Sequence, residues 1–351
     1  MTNTATTTPT ATTTNTPAPA VPAQIVIPPA YVPLPVSYTP NSVLVTGPTI
    51  GEALGITSPT APLALSLSAQ TGIPAEDLLN LPADLPTPTG VFQAMGADGV
   101  SQLYALVNGE VIPLFENTGQ SDFFPSLDES GNLIAFQSQT PDGQRSLRLH
   151  DLSRGLSLAL FRDTPELRLT DDAPAWLPGA EVLLITLEDA NGLTGLYQIN
   201  LRGGTPPLLL IPNGAAGSYS PNARLIAFEQ VQPDGTKRIA VARADAPENV
   251  QRINDADASC KSPRFDSNSV TLFFSCEVNG TPTLFTYGIG GVNPFGLAGD
   301  NPQPGPAAGY MAFDDGASIY YGYTDGGNAA PMIELGGQQV SHLSWTSVLG
   351  Q

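Results

Sequence analysis

The chain has 351 residues, with 13 Lys and Arg against 32 Asp and Glu, a formal net charge of −19 and a pI near 4.2. That balance excludes a phosphate-binding surface, because affinity for nucleic acid or for an anionic membrane is built from clustered Lys and Arg. No apolar stretch approaches the roughly 20 residues that cross a bilayer as a helix, so neither nucleic acid nor membrane insertion is expected.

All 11 Arg and both Lys fall between Arg145 and Arg264. Few Lys, abundant Thr, Ser, Asn, Gly and Pro, and an acidic balance make up the composition of an extracytoplasmic protein, whether secreted, cell-surface or periplasmic. The N-terminus lacks the basic start and apolar core of a signal peptide, so an export signal is expected to have been removed ahead of this numbering.

In chain order, residues 1–16 form a leader in which ten of the residues from Thr2 to Thr16 are Thr and none is charged. Such a segment cannot offset its ordering entropy by burial, so it reads as a flexible tether. Ser/Thr-rich stretches with Pro are also typical acceptors of O-glycans. Residues 17–48 shift to Pro mixed with Val, Ile and Tyr. Pro denies them a helix and most central-strand positions, yet they are too apolar for a solvated linker. Ile25, Val26, Ile27, Tyr31, Val32, Leu34 and Val36 are therefore candidate interaction residues, lying along this protein's own surface or that of a neighbouring subunit. Residues 49–87 read as a small helical or irregular element, with Pro74 at a first helical turn followed by Glu76 and Asp77. The stretch 65–79 faintly resembles the helical part of a LysM glycan-binding module; a packing element is the preferred reading.

From about residue 88 to the end a β pattern repeats. Leu127/Leu133, Trp176/Val182, Tyr219/Leu225, Phe265/Thr271 and Phe313/Ile319 each place a bulky residue six positions before an apolar run. Between the two members lie turn sequences such as Asp128-Glu129-Ser130-Gly131-Asn132 and Ser220-Pro221-Asn222-Ala223-Arg224, which close hairpins. The runs, such as Leu133-Ile134-Ala135-Phe136 and Leu225-Ile226-Ala227-Phe228, are apolar on both faces, as expected for strands covered on both sides. A further strand follows at Leu103, Leu147, Leu196, Ile239 and Leu284, with spacings of 44, 49, 43 and 45 residues. A four-stranded unit of that length is a propeller blade. Val91-Phe92, Leu103-Tyr104 and Val111–Phe115 supply a blade without a first strand, and 342–348 supply a first strand without a blade. Joining them closes a ring of six antiparallel blades and removes exposed edges. The fold class is therefore all-β, a six-bladed propeller closed by its C-terminal strand.

Phe124-Pro125-Ser126-Leu127-Asp128-Glu129-Ser130-Gly131-Asn132-Leu133-Ile134-Ala135-Phe136 resembles the repeat of TolB-type propellers, with Leu127 in place of the usual aromatic. Ala173-Pro174-Ala175-Trp176 and Ser262-Pro263-Arg264-Phe265-Asp266 are weaker copies. The resemblance covers residues 90–348 and implies the blade type, in proteins that serve as periplasmic scaffolds, peptidase filters and surface proteins alike.

Chemistry is sparse. Cys260 and Cys276 lie symmetrically about Asn268, the middle of a predicted hairpin, which places them opposite each other. A cross-strand disulfide is expected, the alternative being two buried thiols. The two histidines, His150 and His342, are strand residues with no Gly-x-Ser-x-Gly elbow or dinucleotide loop in the chain. Asp171-Asp172, Asp255 with Asp257, and Asp314-Asp315 read as solvated turn caps, and none alone gathers the ligands a calcium ion needs. No catalytic residue, metal or cofactor is expected. These readings converge on a non-enzymatic structural or protein-interaction module of a cell-surface or envelope assembly, its partners being other subunits or copies of itself. The alternative is a glycan- or peptide-binding propeller.

Overall fold

The computed structural model describes residues 90–345, apart from 108–109, 116–117, 153, 202–204, 255–258, 268, 289–290, 306–308, 325–328 and 337. The Thr-rich leader, the candidate interaction residues between Ile25 and Val36, the 49–87 element, and Asp255 with Asp257 lie outside the described residues.

Six antiparallel sheets follow one another along the chain as blades I to VI. Blade I contains β1 (Gly90–Met95), β2 (Ser101–Val107) and β3 (Glu110–Pro113). Blade II is β4 (Ser121–Leu127), β5 (Leu133–Gln139), β6 (Arg145–Asp151) and β7 (Leu156–Arg162). In blade III the innermost strand is split into β8 (Leu167–Leu169) and β9 (Ala175–Trp176), both paired with β10 (Val182–Asp189), before β11 (Thr194–Asn200) and β12 (Leu208–Pro212). Blade IV is β13 (Gly214–Tyr219), β14 (Leu225–Val231), β15 (Lys237–Arg243) and β16 (Ala246–Arg252). Blade V is β17 (Cys260–Phe265), β18 (Leu272–Val278), β19 (Thr281–Gly288) and β20 (Gly291–Ala298). Blade VI is β21 (Asp300–Pro304), β22 (Tyr310–Asp314), β23 (Ser318–Tyr323) and β24 (Ala330–Glu334). The last strand, β25 (Gln339–Trp345), returns to blade I and pairs with β1, setting Gly90 opposite Trp345 and Val91 opposite Ser344. The ring thus closes by the expected exchange of its two ends.

Second strands are apolar on both faces because each blade is covered by a neighbour on either side. The core is accordingly divided among the blade interfaces. One cluster joins Val91, Leu103 and Ile112 of blade I to Leu127, Ile134 and Phe136 of blade II; another joins Leu184, Leu196 and Ile211 of blade III to Tyr219, Ile226 and Phe228 of blade IV. Burying each of these large side chains contributes about 1.5–3 kcal/mol. The fit is close where inner strands crowd together: a Cβ on Gly217 of β13 would stand 2.5 Å from Leu184 Cδ2.

Turns do what their residues suggest. Asp128 Oδ1 accepts the backbone N–H groups of Asn132 (2.9 Å) and Leu133 (2.8 Å), and Gly131 supplies a φ of 72°. In blade IV Ser220 Oγ takes the cap on Leu225 N (2.9 Å), while Ala223 holds a φ of 59° at the position Gly131 occupies in blade II.

One of the five predicted pairs is out of frame. Phe313 and Ile319 stand on β22 and β23, the second and third strands of blade VI, whose innermost strand is β21. Asp300-Asn301-Pro302-Gln303-Pro304 does not read as a strand, because Pro is excluded from a ladder paired on both sides. An innermost strand has a partner on one side only, so the prolines are tolerated, and blade VI is complete in its four strands.

Candidate functional site

The innermost strands are bulged where they line the central channel. Two residues stand opposite one at Phe124-Pro125 (facing Phe136), Ala216-Gly217 (Phe228), Ser262-Pro263 (Phe274), Asn301-Pro302 (Phe313) and His342-Leu343 (Phe92). In blade III the gap between β8 and β9 falls at the same place. Each of the five bulges begins with a non-glycine residue at positive φ: Phe124 (53°), Ala216 (46°), Ser262 (56°), Asn301 (45°) and His342 (55°). Such residues cost free energy locally and persist only where their surroundings hold them.

What holds them is a polar belt. The residue following the facing Phe, or Ile185 in blade III, is Gln93, Gln137, Thr186, Glu229, Ser275 or Asp314, and all six are buried. Each reaches toward the next blade. Gln93 Oε1 accepts from Phe124 N (2.7 Å), Thr186 Oγ1 from Ala216 N (2.9 Å), Glu229 Oε1 from Ser262 N (2.9 Å) and Asp314 Oδ2 from His342 N (3.1 Å). Gln137 Nε2 donates to the carbonyls of Thr170 and Asp172, both at 2.7 Å. Ser275 donates to Asp300 Oδ1 (2.6 Å), which in turn accepts from Asn301 N (2.8 Å). A buried backbone N–H left without a partner costs about 1–3 kcal/mol, so the belt ties each bulge to its neighbour.

The belt also concentrates charge. Lys237 pairs with Glu229 (2.7 Å), Arg145 with Asp171 (2.8 Å), and Lys261 with Asp300. Burial, and secondarily the charge of Asp172, push the Glu229 carboxyl upward. Burial likewise carries Asp314 to about 7, against the opposing hydrogen bonds from Asn301 and His342. His342, whose Nδ1 lies 3.0 Å from Ser341 Oγ and whose ring meets Phe124 edge-on, is lowered to about 4 by burial and is neutral at pH 7.

Beyond the bulges the channel widens into a funnel of about 360 Å³ lined by all six blades. The residue after each bulge faces it: Ser126, Ala175, Ser218, Arg264, Gln303 and Ser344. One position further along, Leu127, Trp176, Tyr219, Phe265, Pro304 and Trp345 present their edges to the funnel while packing between blades. Trp176 Nε1 donates to Ser126 O (3.0 Å) and Trp345 Nε1 to Pro304 O, each in the preceding blade. Neither a protein-family model nor a curated protein sequence matches the chain. Among solved structures, TolB from Acinetobacter baumannii matches with a TM-score of 0.62 at 16% identity, over 85% of this chain and 72% of that one. The fold is that of a TolB-type propeller. A chain of a nidogen/laminin complex has a TM-score of 0.58 at 10% identity, over 74% of this chain and 100% of that one. Kuenenia stuttgartiensis hydrazine synthase has 0.55 at 11%, over 74% and 46%. At these identities the likeness is one of fold, which does not by itself fix a function.

Within this TolB-type propeller the sequence-predicted residues fall in different places. Cys260 and Cys276 are directly opposite on β17 and β18 and are joined as a disulfide. The bond is buried between blades IV and V and does not line the funnel. Asp171 is exposed, and Asp315 caps its turn through Ala317 N and Ser318 N, both at 2.9 Å. Asp314, expected to be solvated beside it, is instead only 4% exposed. It ends a strand whose alternation turns it toward the belt while Asp315 turns outward. His150 lies 2.8 Å from Ser157 Oγ, but both are buried and neither lines the funnel. The polar belt and Arg264 escaped the sequence reading. A signal for the belt was present: a polar residue recurs immediately after the apolar core of each second strand.

Proposed function

We propose that this protein is a non-enzymatic, extracytoplasmic propeller whose funnel receives a segment of a protein partner in a cell-surface or envelope assembly. The observation that carries the reading is the funnel itself, an opening of about 360 Å³ to which all six blades contribute, with a rigid polar belt beneath it. That volume falls in the range of pre-formed ligand sites. The disulfide fits an oxidising compartment, as does the Lys-poor, acidic composition. The histidines favour the non-enzymatic reading: His150 and the Ser157 hydroxyl beside it are buried away from the funnel, and Ser341, the hydroxyl beside His342, does not line it. A glycan platform is disfavoured by the tryptophans, whose indole N–H groups are committed to neighbouring blades.

The test fills the funnel. Ser126→Trp combined with Ala175→Trp places two indoles in the opening without touching the belt or the disulfide. The variant's assembly in its native source, measured by light scattering on the isolated complex, is expected to lose the partner that the wild type retains. Retention of the partner at wild-type stoichiometry by a folded variant sinks the proposal.

A further inference from the structure

Five of the six positions that face the funnel just past the bulges are small or neutral: Ser126, Ala175, Ser218, Gln303 and Ser344. The sixth is Arg264. The fold does not require a cation there, because equivalent strands fill the same position with a hydroxyl, a methyl or an amide. Withdrawing a guanidinium from bulk water is expensive unless carboxylates or a ligand compensate it. Among the described residues Arg264 makes no ion pair; of its five donors Nη1 donates to Pro263 O (2.9 Å), and the residue lines the funnel. The nearest acids are already engaged. Glu229 is held by Lys237 and Ser262 N, and Asp172 accepts from Thr170 Oγ1 (3.0 Å). Along each strand the order from the mouth inward is rim turn, apolar edge, Arg264 level, bulge. A ligand entering from the mouth meets Trp176, Tyr219, Phe265 and Trp345 before it reaches the guanidinium.

We infer that Arg264 anchors a carboxylate at the leading end of an apolar peptide, the C-terminal tail of a partner protein, by bidentate hydrogen bonding within the funnel. This rests on the reading of the funnel as a docking site and specifies its chemistry. A planar, permanently charged fork matches a carboxylate oxygen pair, and the surrounding prolines and aromatic edges suit the residues behind it. Ser126 and Ser344 add hydroxyls at the same level, while the Ser218 hydroxyl is committed to Pro263 O (2.8 Å).

Both tryptophans of the chain line the funnel, so intrinsic fluorescence of the full chain reports occupancy directly. The probes are N-acetyl-Ala-Pro-Phe as the free acid and as the C-terminal amide. Saturable binding of the acid is expected, with the amide weaker by about tenfold or more, the loss of a charge-assisted pair. Arg264→Gln should bind the acid no better than the amide and unfold at the wild-type temperature or above, since Gln303 already occupies the equivalent position in blade VI; Arg264→Lys should recover part of the difference. Equal affinity for acid and amide, or an Arg264→Gln variant that still prefers the acid, overturns the carboxylate anchor and leaves the docking reading standing. Binding of neither peptide also overturns the anchor, the docking reading then being judged by the filled-funnel variant. Displacement of the acid by acetate at equal concentration shows a small-carboxylate site and overturns the peptide.

Discussion

Asp314 is the belt residue whose charge the fold opposes most clearly, and Asp314→Asn should make the protein more stable. Burial raises its carboxyl from the ordinary 3.8 to about 7. Between about pH 4 and pH 7 the folded chain keeps a proton that the unfolded chain has released, so this group lowers stability as pH rises through that window and by a constant amount above it. A shift of about three units at about 1.4 kcal/mol each gives about 4 kcal/mol at full expression. The amide preserves the geometry, because Asn301 Nδ2 (3.0 Å) and His342 N (3.1 Å) both donate to the one oxygen Oδ2, which an amide carbonyl can replace. His150 and His342, each lowered to about 4, act in the opposite sense, adding stability as pH rises from about 4 to 6.5. They are common to both proteins and cancel in the difference. Urea denaturation of wild type and variant should show a gain of up to about 4 kcal/mol at about pH 8, shrinking to about 1 kcal/mol near pH 4.5. A difference that does not change with pH, or a variant less stable than wild type at pH 8, refutes the reasoning.

Other perturbations test the closure, the belt and the crosslink. Gly90→Ala places a Cβ 2.6 Å from the Ser344 carbonyl on β25; with backbone as the obstacle the closing pair must part, and a loss of about 1–3 kcal/mol is expected in chemical denaturation. Gln93→Leu removes the acceptor from Phe124 N and should cost about 1–3 kcal/mol, visible as faster amide exchange at Phe124. Cys260→Ser with Cys276→Ser opens a 16-residue separation and should lower stability by about 2–3 kcal/mol, somewhat below the loop-entropy value because the hairpin is already formed by its turn; reducing the wild type should reproduce the shift, and leave the double variant unmoved.

Much of the fold was legible because its determinants are local. Runs apolar on both faces, Asp and Gly at turns, and the near-constant spacing of third strands gave six blades and the exchange of β25 with β1. The symmetry of Cys260 and Cys276 about their hairpin gave the crosslink, since antiparallel pairing makes register a matter of counting from the turn. The reading slipped at β21, where Asn301-Pro302 and Pro304 look like a loop until the unpartnered side of an innermost strand is taken into account.

The chain by itself determined the period and the pairing of neighbouring strands, set by contacts within a few tens of residues along the backbone. It determined the closure because 342–348 and the blade from residue 90 are each left one strand out of step, although the pair they form, Gly90 with Trp345, spans the whole ring. Tertiary structure alone decided the rest. A bulge adds one residue to a strand and reverses which side chains face the channel beyond it, so the level carrying Arg264 could not be assigned from alternation. The belt joins residues on successive blades, from Ser275 with Asp300, 25 positions apart, to Gln137 with Asp172, 35 apart, and their meeting depends on how one blade is rotated against the next. Burial of Asp314 and exposure of Asp315 differ by a single step along the strand, which is enough to exchange a carboxylate's solvent for the protein interior.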